Sequence, residues 1–379
     1  MTSIKIGVVT VPIYKSGNPP LSHLLDILNV YSKDLYLLTG NDGYTFFKQD
    51  SQIHVDGWVY RNLSDSFLLR LSRYIWTQIF ISYQIIFQRK NIDLWIFFFG
   101  NYRLTLPIFI AKLFNKPVLL LLPDPFGRLS GTLQGPVSLP MRVLLNLTYT
   151  LADRIVVYSP RFIGEWGLGS YQQKILIGHE HFLNIDTFKI TTTFRHRSPV
   201  IGFIGRFSSE KGIREFVRTI PVLLVKLPDL TVLLGGDGPL KDEIRKYLME
   251  NHLTDRVELP GWITHDNLPE YLNRLRLLVI PSTTEGLPNI VLEAMACGTP
   301  VLATPVGAIP DIIRDGETGF IMESNTPECI TAGITRAINS PDLKKIIENG
   351  RMYVCENYQF EKTVKNWKRI LEETGQDIT

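Results

Sequence analysis

Residues 277–303 read LLVIPSTTEGLPNIVLEAMACGTPVLA. Leu277 to Ile280 is a short, continuous apolar run bounded by a turn, which reads as a buried strand. Pro281 to Gly286 is a loop, and Pro288 suits a first helical position, where its missing N–H costs nothing. The helix runs from Pro288 to Ala296, Gly298 closes it, and Val301 to Ala303 is the next strand. Strand, loop, helix and strand within 27 residues make a parallel unit, with strands apolar on both sides and so covered on both faces.

The pattern extends upstream through the second half of the chain. Strands are expected at Val200 to Ile204, Leu230 to Gly235 and Val257 to Leu259. Helices are expected at Gly212 to Leu227, Leu240 to Asn251 and Leu268 to Arg274. The first half repeats the alternation. Its strands are Ile4 to Val9, Leu35 to Leu38, Trp58 to Tyr60, Leu94 to Phe99, Val118 to Leu122 and Arg154 to Tyr158. Its helices are Leu21 to Val30, Phe67 to Gln88, Leu104 to Phe114 and Met141 to Ala152. Thr191 to Pro199 (TTTFRHRSP) is polar and ends in proline, a linker. The fold class is therefore α/β, with two doubly wound, Rossmann-like domains, residues 1–190 and 200–358, and a crevice at the carboxyl ends of their strands. A terminal helix from Glu361 to Glu373 is expected to fold back across the first domain and complete it.

Length and composition agree with this division. A chain of 379 residues, 45% apolar and 20% charged, suits two globular domains and excludes disordered or fibrous classes. Cys297, Cys329 and Cys355 lie in apolar or helical contexts without metal-ligand spacing and read as reduced core thiols. The amino terminus is strand-like rather than a signal peptide, and the longest uncharged apolar-rich run, Tyr74 to Gln88, is too short and polar to span a bilayer. A soluble, cytoplasmic protein is expected.

The residues that carry chemistry cluster at strand ends. The Gly286, Leu287, Pro288 and Asn289 stretch presents backbone N–H groups at a helix amino terminus, a ready anion site. Glu285 stands at its mouth, and Glu293 lies farther along the helix on the stripe of Asn289. One carboxylate can meet a sugar and the other a ribose. Alternatively, Glu285 only answers the helix dipole and Glu293 is solvated. Gly205-Arg206-Phe-Ser-Ser-Glu210-Lys211-Gly212 follows the strand Val200 to Ile204. Arg206 and Lys211 can hold a diphosphate leaving group without metal, or be ordinary surface cations. Gly205 and Gly212 allow close backbone approach. Gly235-Gly236-Asp237-Gly238-Pro239 is either a phosphate- or ribose-facing loop or a tight turn. Trp262 and Ile263, after Gly261, either sit under a nucleobase or belong to the core.

GRFSSEKG, GGDGP, LPGWI, PSTTEGLPNIVLEAMACGTPVLATPVGAIPDII and DGETGF, in that order, closely resemble the carboxyl-terminal domain of retaining GT-B glycosyltransferases of family 4 (glycosyl transferases group 1). The likeness covers roughly residues 200–325, about a third of the chain. It implies a hexosyltransferase with a nucleotide-sugar donor held by the second domain, and no cofactor or metal ion. Arg206 and Lys211 would neutralise the diphosphate, Glu293 would hold the ribose hydroxyls, and Glu285 would contact the donor sugar. The backbone of Gly286 to Asn289 would complete the cradle. The family keeps the anomeric configuration, and same-face attack makes catalysis largely electrostatic, the alternative being a covalent route with Glu285 as nucleophile.

The first half departs from that pattern. Val11 to Gly17 lacks the family's glycine pair, and Pro123-Asp124-Pro125-Phe126-Gly127-Arg128 replaces a segment with a histidine, so Asp124 or Arg128 is the candidate substitute. Gly178-His179-Glu180-His181 alters a further turn. Adjacent His179, Glu180 and His181 rarely converge on a metal, so a structural or acceptor-side role is expected.

Residues 1–190 carry 18 Lys+Arg against 12 Asp+Glu, and the remainder 22 against 25. The positive first half suits an anionic membrane surface, on the inner face of the membrane, or is no more than drift in surface charge. No cluster suggests nucleic acid. Phe67 to Gln88, with a polar stripe of Ser66, Arg70, Arg73, Thr77, Gln84 and Gln88, is expected to be buried against the sheet, with an interfacial membrane helix as the rival reading. The acceptor is a hydroxyl, lipid-linked or on a glycan. The alternatives are a non-catalytic nucleotide-sugar binder and a nucleotide-sugar epimerase on the same scaffold.

Overall fold

The computed structural model describes residues 4–14, 17–60, 66–99, 104–123 and 139–375. The chain forms two compact units, one of residues 1–182 with 360–379, the other of residues 183–359.

The first unit runs β1 (Ile4–Ile13), α1 (Asn18–Asn29), β2 (Ser32–Asn41), α2 (Asp42–Phe47), β3 (Ile53–Trp58), α3 (Phe67–Gln88), β4 (Leu94–Phe98), α4 (Thr105–Leu113), β5 (Val118–Leu122), α5 (Leu139–Leu151), β6 (Arg154–Val157), α6 (Arg161–Glu165) and β7 (Ile175–Ile177). Its strands form one parallel sheet in the order β3-β2-β1-β4-β5-β6-β7. Central strands β4 and β5 are fully buried, which is why they read as unbroken apolar runs.

Three expectations change here. The third strand is Ile53–Trp58, not Trp58 to Tyr60. It is an edge strand that alternates half-buried Ile53 and Val55 with exposed His54 and Asp56, and those polar residues hid it. β1 continues to Ile13, past the expected end at Val9. Finally, α3 occupies the expected residues but is not buried by its apolar side. Thr77, Gln78 and Ser82 face inward with Ile81 and Ile85, while Leu68, Ile79, Tyr83 and Phe87 are exposed.

The second unit runs β8 (Val200–Ile204), α7 (Ile213–Lys226), β9 (Thr231–Gly235), α8 (Lys241–Glu250), β10 (Val257–Gly261), α9 (Leu268–Arg274), β11 (Leu277–Ile280), α10 (Asn289–Ala296), β12 (Val301–Ala303), α11 (Ile309–Ile312), β13 (Phe320–Ile321), α12 (Pro327–Ile338) and α13 (Leu343–Asn357). Its parallel sheet has the order β10-β9-β8-β11-β12-β13. Phe203, Phe216, Leu234 and Leu277 lie in its apolar core.

α10 begins one residue later than expected, with Pro288 as its extended N-cap. It ends in a Schellman motif: the Gly298 N–H donates to Met295 O and the Thr299 N–H to Ala294 O, with Gly298 at φ +68°. The segment expected as a plain linker is anchored in the second unit. Arg197 is 3% exposed and donates to the carbonyls of Leu275 (2.9 Å) and Cys297 (2.6 Å) and to Thr299 Oγ1 (2.7 Å). Of the three thiols only Cys297 is buried, whereas Cys329 and Cys355 are half-buried. Burial pushes the Cys297 thiol up to about 12.

The last helix, α14 (Phe360–Glu373), belongs to the first unit, where it packs on α1. Tyr31 Oη donates to Val364 O at 2.9 Å and Trp367 Nε1 to His179 O at 2.8 Å. Among the described residues no helix is long and apolar enough to cross a membrane.

Candidate functional site

The strand order of the second unit reverses at β8, which lies between β9 and β11. Loops leaving the carboxyl ends of β8 and β11 must therefore meet, which is where open α/β sheets hold ligands. The Thr283 N–H donates to Glu210 O at 2.8 Å, joining the two loops. Gly212 has φ +69°, and a Cβ there would stand 2.0 Å from Pro281 O, so a side chain would push the loops apart. The loop after β9 closes from the other side. Gly236 has φ +140° and a Cβ there would meet Gly205 O at 1.9 Å. The Phe207 N–H donates to Asp237 O at 2.9 Å, and the Gly236 N–H to Gly261 O at 2.7 Å.

Within this crevice Lys211 Nζ donates to both oxygens of Glu285 at 2.8 Å, and Ser282 Oγ donates to Glu285 Oε1 at 2.6 Å. The Glu285 side chain is only 8% exposed. Arg206 is exposed beside them. The neighbouring Glu210 carboxyl is held below its ordinary value: burial opposes this, but the Ser208 hydroxyl, a backbone N–H and the Arg206 and Lys211 charges outweigh it. No side chain caps the amino end of α10, so its first N–H groups are directed toward the Gly286–Asn289 turn. Leu287 and Pro288 are buried and contribute backbone, not side chain.

Glu293, one turn after Asn289, is not a solvated helix residue. It is buried at 7% exposure, and His265 Nε2 lies 2.9 Å from its Oε1. That contact, with the nearby carboxylate charges, raises the His265 pKa above 6.5 against the opposing effect of burial. The His265 ring also meets Phe188 edge to face, with centroids 5.1 Å apart. Trp262 is 69% exposed, which removes the reading of it as core. Ile263 covers Gly235, where a Cβ would sit 2.4 Å from Ile263 Cδ1.

In the first unit, Asp124, Arg128, Lys15 and Ser16 lie outside the described residues. Glu180 and His181 are buried and His179 half-buried, just past the end of β7. Tyr158 Oη donates to Glu180 at 2.5 Å, and Thr363 Oγ1 of α14 donates to His181 O at 3.1 Å. Burial pushes the His179 pKa down to about 4, opposed by a hydrogen bond involving the His181 backbone. Among the described residues no group of three His, Cys, Asp or Glu side chains gathers as a metal site would. The altered turn is thus a packed element of the first unit.

Residues 184–353 match the model of glycosyl transferases group 1. The second domain is a glycosyl transferases group 1 domain. The 2-deoxystreptamine glucosyltransferase of Streptomyces kanamyceticus is 39% identical over 143 residues, 38% of this chain and 37% of that protein. The N-acetyl-alpha-D-glucosaminyl L-malate synthase of Bacillus anthracis is 30% identical over 175 residues, 46% of this chain and 45% of that protein. The chain spans about half the length of the curated relatives it matches. A crystal structure of Anabaena HepE in complex with UDP superposes with a TM-score of 0.77 at 18% identity, covering 97% of this chain and 100% of that one. The fold is GT-B, as the sequence motifs implied.

His265, like Ser282, is a residue of this group 1 domain that sequence reasoning passed over. Its only signal was its place in Trp262-Ile263-Thr264-His265, just past a strand end, 28 positions before the carboxylate it meets.

Proposed function

We propose that the protein is a retaining family 4 glycosyltransferase that moves a sugar from a UDP- or GDP-linked donor to a hydroxyl, working without a metal ion. The observation that carries this reading is the Lys211–Glu285 pair beside the uncapped amino end of α10, at the reversal of strand order. Arg206, Lys211 and the helix N–H groups receive the diphosphate. Gly205 and Gly236 let backbone approach it, and Trp262 and Ile263 border the base. Glu293 accepts hydrogen bonds from the ribose hydroxyls, and Glu285 faces the donor sugar.

As the bond from the anomeric carbon to the phosphate oxygen breaks, its electron pair leaves with the diphosphate. The acceptor oxygen bonds to that carbon from the same face, and its proton passes to a phosphate oxygen. The protein supplies cations where negative charge grows and holds the acceptor oxygen and the leaving phosphate on the same face of the anomeric carbon. Asp124, or Arg128, serves the acceptor side. The acceptor is a glycan or lipid-linked hydroxyl met in the cytoplasm.

A thermal-shift screen with UDP, GDP and their sugars tests the donor assignment. A true ligand at about a hundred times its Kd stabilises by about 2.7 kcal/mol. No protection by any nucleoside diphosphate would overturn it. Proton NMR of the first product formed decides retention.

A further inference from the structure

Strand order in the first unit reverses at β1, so right-handed crossovers put α1 and α2 on one face of the sheet and α3, α4 and α5 on the other. α3 packs on α4, and α4 on α5. A helix on a protein surface buries its apolar side and shows its polar side to water. α3 instead buries a mixed side, Thr77, Gln78 and Ser82 together with Ile81 and Ile85, and leaves much of its apolar surface exposed. Thr77 and Ser82 are buried, and Thr77 Oγ1 is 2.7 Å from Tyr60 Oη. Leu68, Ile79, Tyr83 and Phe87 are 58–72% exposed. The apolar surface continues through Phe109 and Leu113 of α4 and Val143 and Leu147 of α5, all 45–63% exposed. Single exposed apolar side chains are ordinary, but a surface shared by three adjacent helices is not.

Charge selects what covers it. The three helices contain no Asp or Glu, and carry Arg70, Arg73 and Arg142, besides Lys112, which is paired with Asp153 just past α5 at 2.7 Å. Arg89 and Lys90 follow α3 directly, and Arg70, Arg89, Lys90 and Arg142 are exposed. A second copy meeting this face by two-fold symmetry would bring like charges together, with no carboxylate on the helices to answer them. A phospholipid surface with anionic headgroups provides both an acyl boundary for the side chains and phosphates for the cations. Trp76 and Phe80 of α3 form an aromatic cluster with Trp58 and Tyr60, Trp76 stacking on Phe80 at 4.9 Å. Trp and Tyr favour such a half-wet, half-apolar boundary.

We propose that α3, α4 and α5 form a docking face that lies in the interface of a bilayer containing anionic lipid. The face is distinct from the nucleotide site. It deepens the acceptor-side reading, and rests on it only in placing a lipid-linked acceptor at that surface. The test is flotation of the intact chain with vesicles of phosphatidylcholine alone, or mixed with phosphatidylglycerol, in the absence of nucleotide sugar. The protein floats with the anionic vesicles and progressively less as salt is raised. Ile79→Glu and Phe87→Glu, at exposed positions, each weaken binding about tenfold. Arg70→Glu and Arg142→Glu each weaken it at least about fivefold and reduce its salt dependence. Unchanged thermal unfolding shows that the variants fold, and protection by UDP or GDP on the same samples reports the donor site separately. Failure of the wild type to float at low salt overturns the proposal. So does binding insensitive to all four substitutions, or a dimer that Ile79→Glu dissociates without any vesicle binding.

Discussion

Lys211 and Glu285 stand 74 positions apart in sequence, yet Lys211 Nζ lies 2.8 Å from both carboxylate oxygens of Glu285. The pair is the product of topology, since β8 and β11 are neighbours and their following loops share one end of the sheet. An exposed ion pair contributes little, but this carboxylate is largely removed from water, so losing its partner is costly. Lys211 is more open, with its side chain 30% exposed. It can therefore receive a diphosphate while still holding Glu285 in place.

Lys211→Ala is expected to act twice. It removes a charge-assisted contact to the leaving diphosphate, lowering turnover by roughly tenfold to hundredfold, and it lowers thermal stability by stranding Glu285. Lys211→Ala combined with Glu285→Gln should recover much of the lost stability but none of the turnover. If the double variant is as unstable as the sum of the two single ones, the pair is not coupled in the folded protein.

Arg206→Ala separates binding from folding. The side chain is exposed, so the melting temperature should stay within the change expected of a surface substitution, about 0.5 kcal/mol. Transfer should still fall roughly tenfold to hundredfold. Steady-state kinetics and a melting curve on one preparation check both parts. Full activity would remove Arg206 from the diphosphate site.

Much of the second domain was legible because its signals are local. β8, β11 and β12 are unbroken apolar runs, the first two ended directly by Gly205 and Pro281, and the structure places them where they were read. Pairings across space were not legible: Lys211 and Glu285 were each singled out, but nothing in their spacing joins them. Periodicity was also ambiguous about direction. It showed that α3 has a polar and an apolar side, but the burial of Thr77 and Ser82 depends on which side the sheet receives. Thr191 to Pro199 read as a linker because it is polar and ends in proline, and Arg197 is nonetheless buried in the structure. Its burial becomes affordable only through carbonyls contributed by residues 275 and 297.

Those carbonyls give a stability prediction. Burial lowers the Arg197 pKa from 12.5 to about 10, partly offset by interaction with Cys297, so the guanidinium is still a cation at neutral pH. Arg197→Ala leaves the Leu275 and Cys297 carbonyls without this donor, and should destabilise the second domain by about 2–4 kcal/mol. Arg197→Lys should recover only part of this, because one ammonium cannot reproduce a planar fork. Thermal unfolding of the two variants checks the order. Equal stability of wild type and Arg197→Ala would show that the segment is an ordinary linker.

The contact between His265 and Glu293 predicts a dependence on pH. Hydrogen bonding to Glu293 raises the folded-state pKa of His265 above its unfolded value of 6.5, against the effect of burial. A raised histidine pKa means that the folded protein holds this proton more tightly than the unfolded chain. The resulting stabilisation is therefore fully present below pH 6.5 and is lost as pH rises through the higher folded value. His265 is well exposed, so the effect is small, and it should vanish in His265→Asn. Nucleotide affinity should move the opposite way. If Glu293 accepts the ribose hydroxyls, a protonated His265 competes for the same carboxylate. Nucleoside-diphosphate binding should then tighten as pH rises through that range, and this pH dependence should flatten in His265→Asn. Glu293→Gln should weaken nucleotide binding more than it lowers turnover, because ribose contacts are shared by ground and transition states. Calorimetric titrations at several pH values on wild type and both variants decide this. A pH response that survives His265→Asn would assign the proton to another group, and unchanged affinity in Glu293→Gln would remove the ribose from this carboxylate.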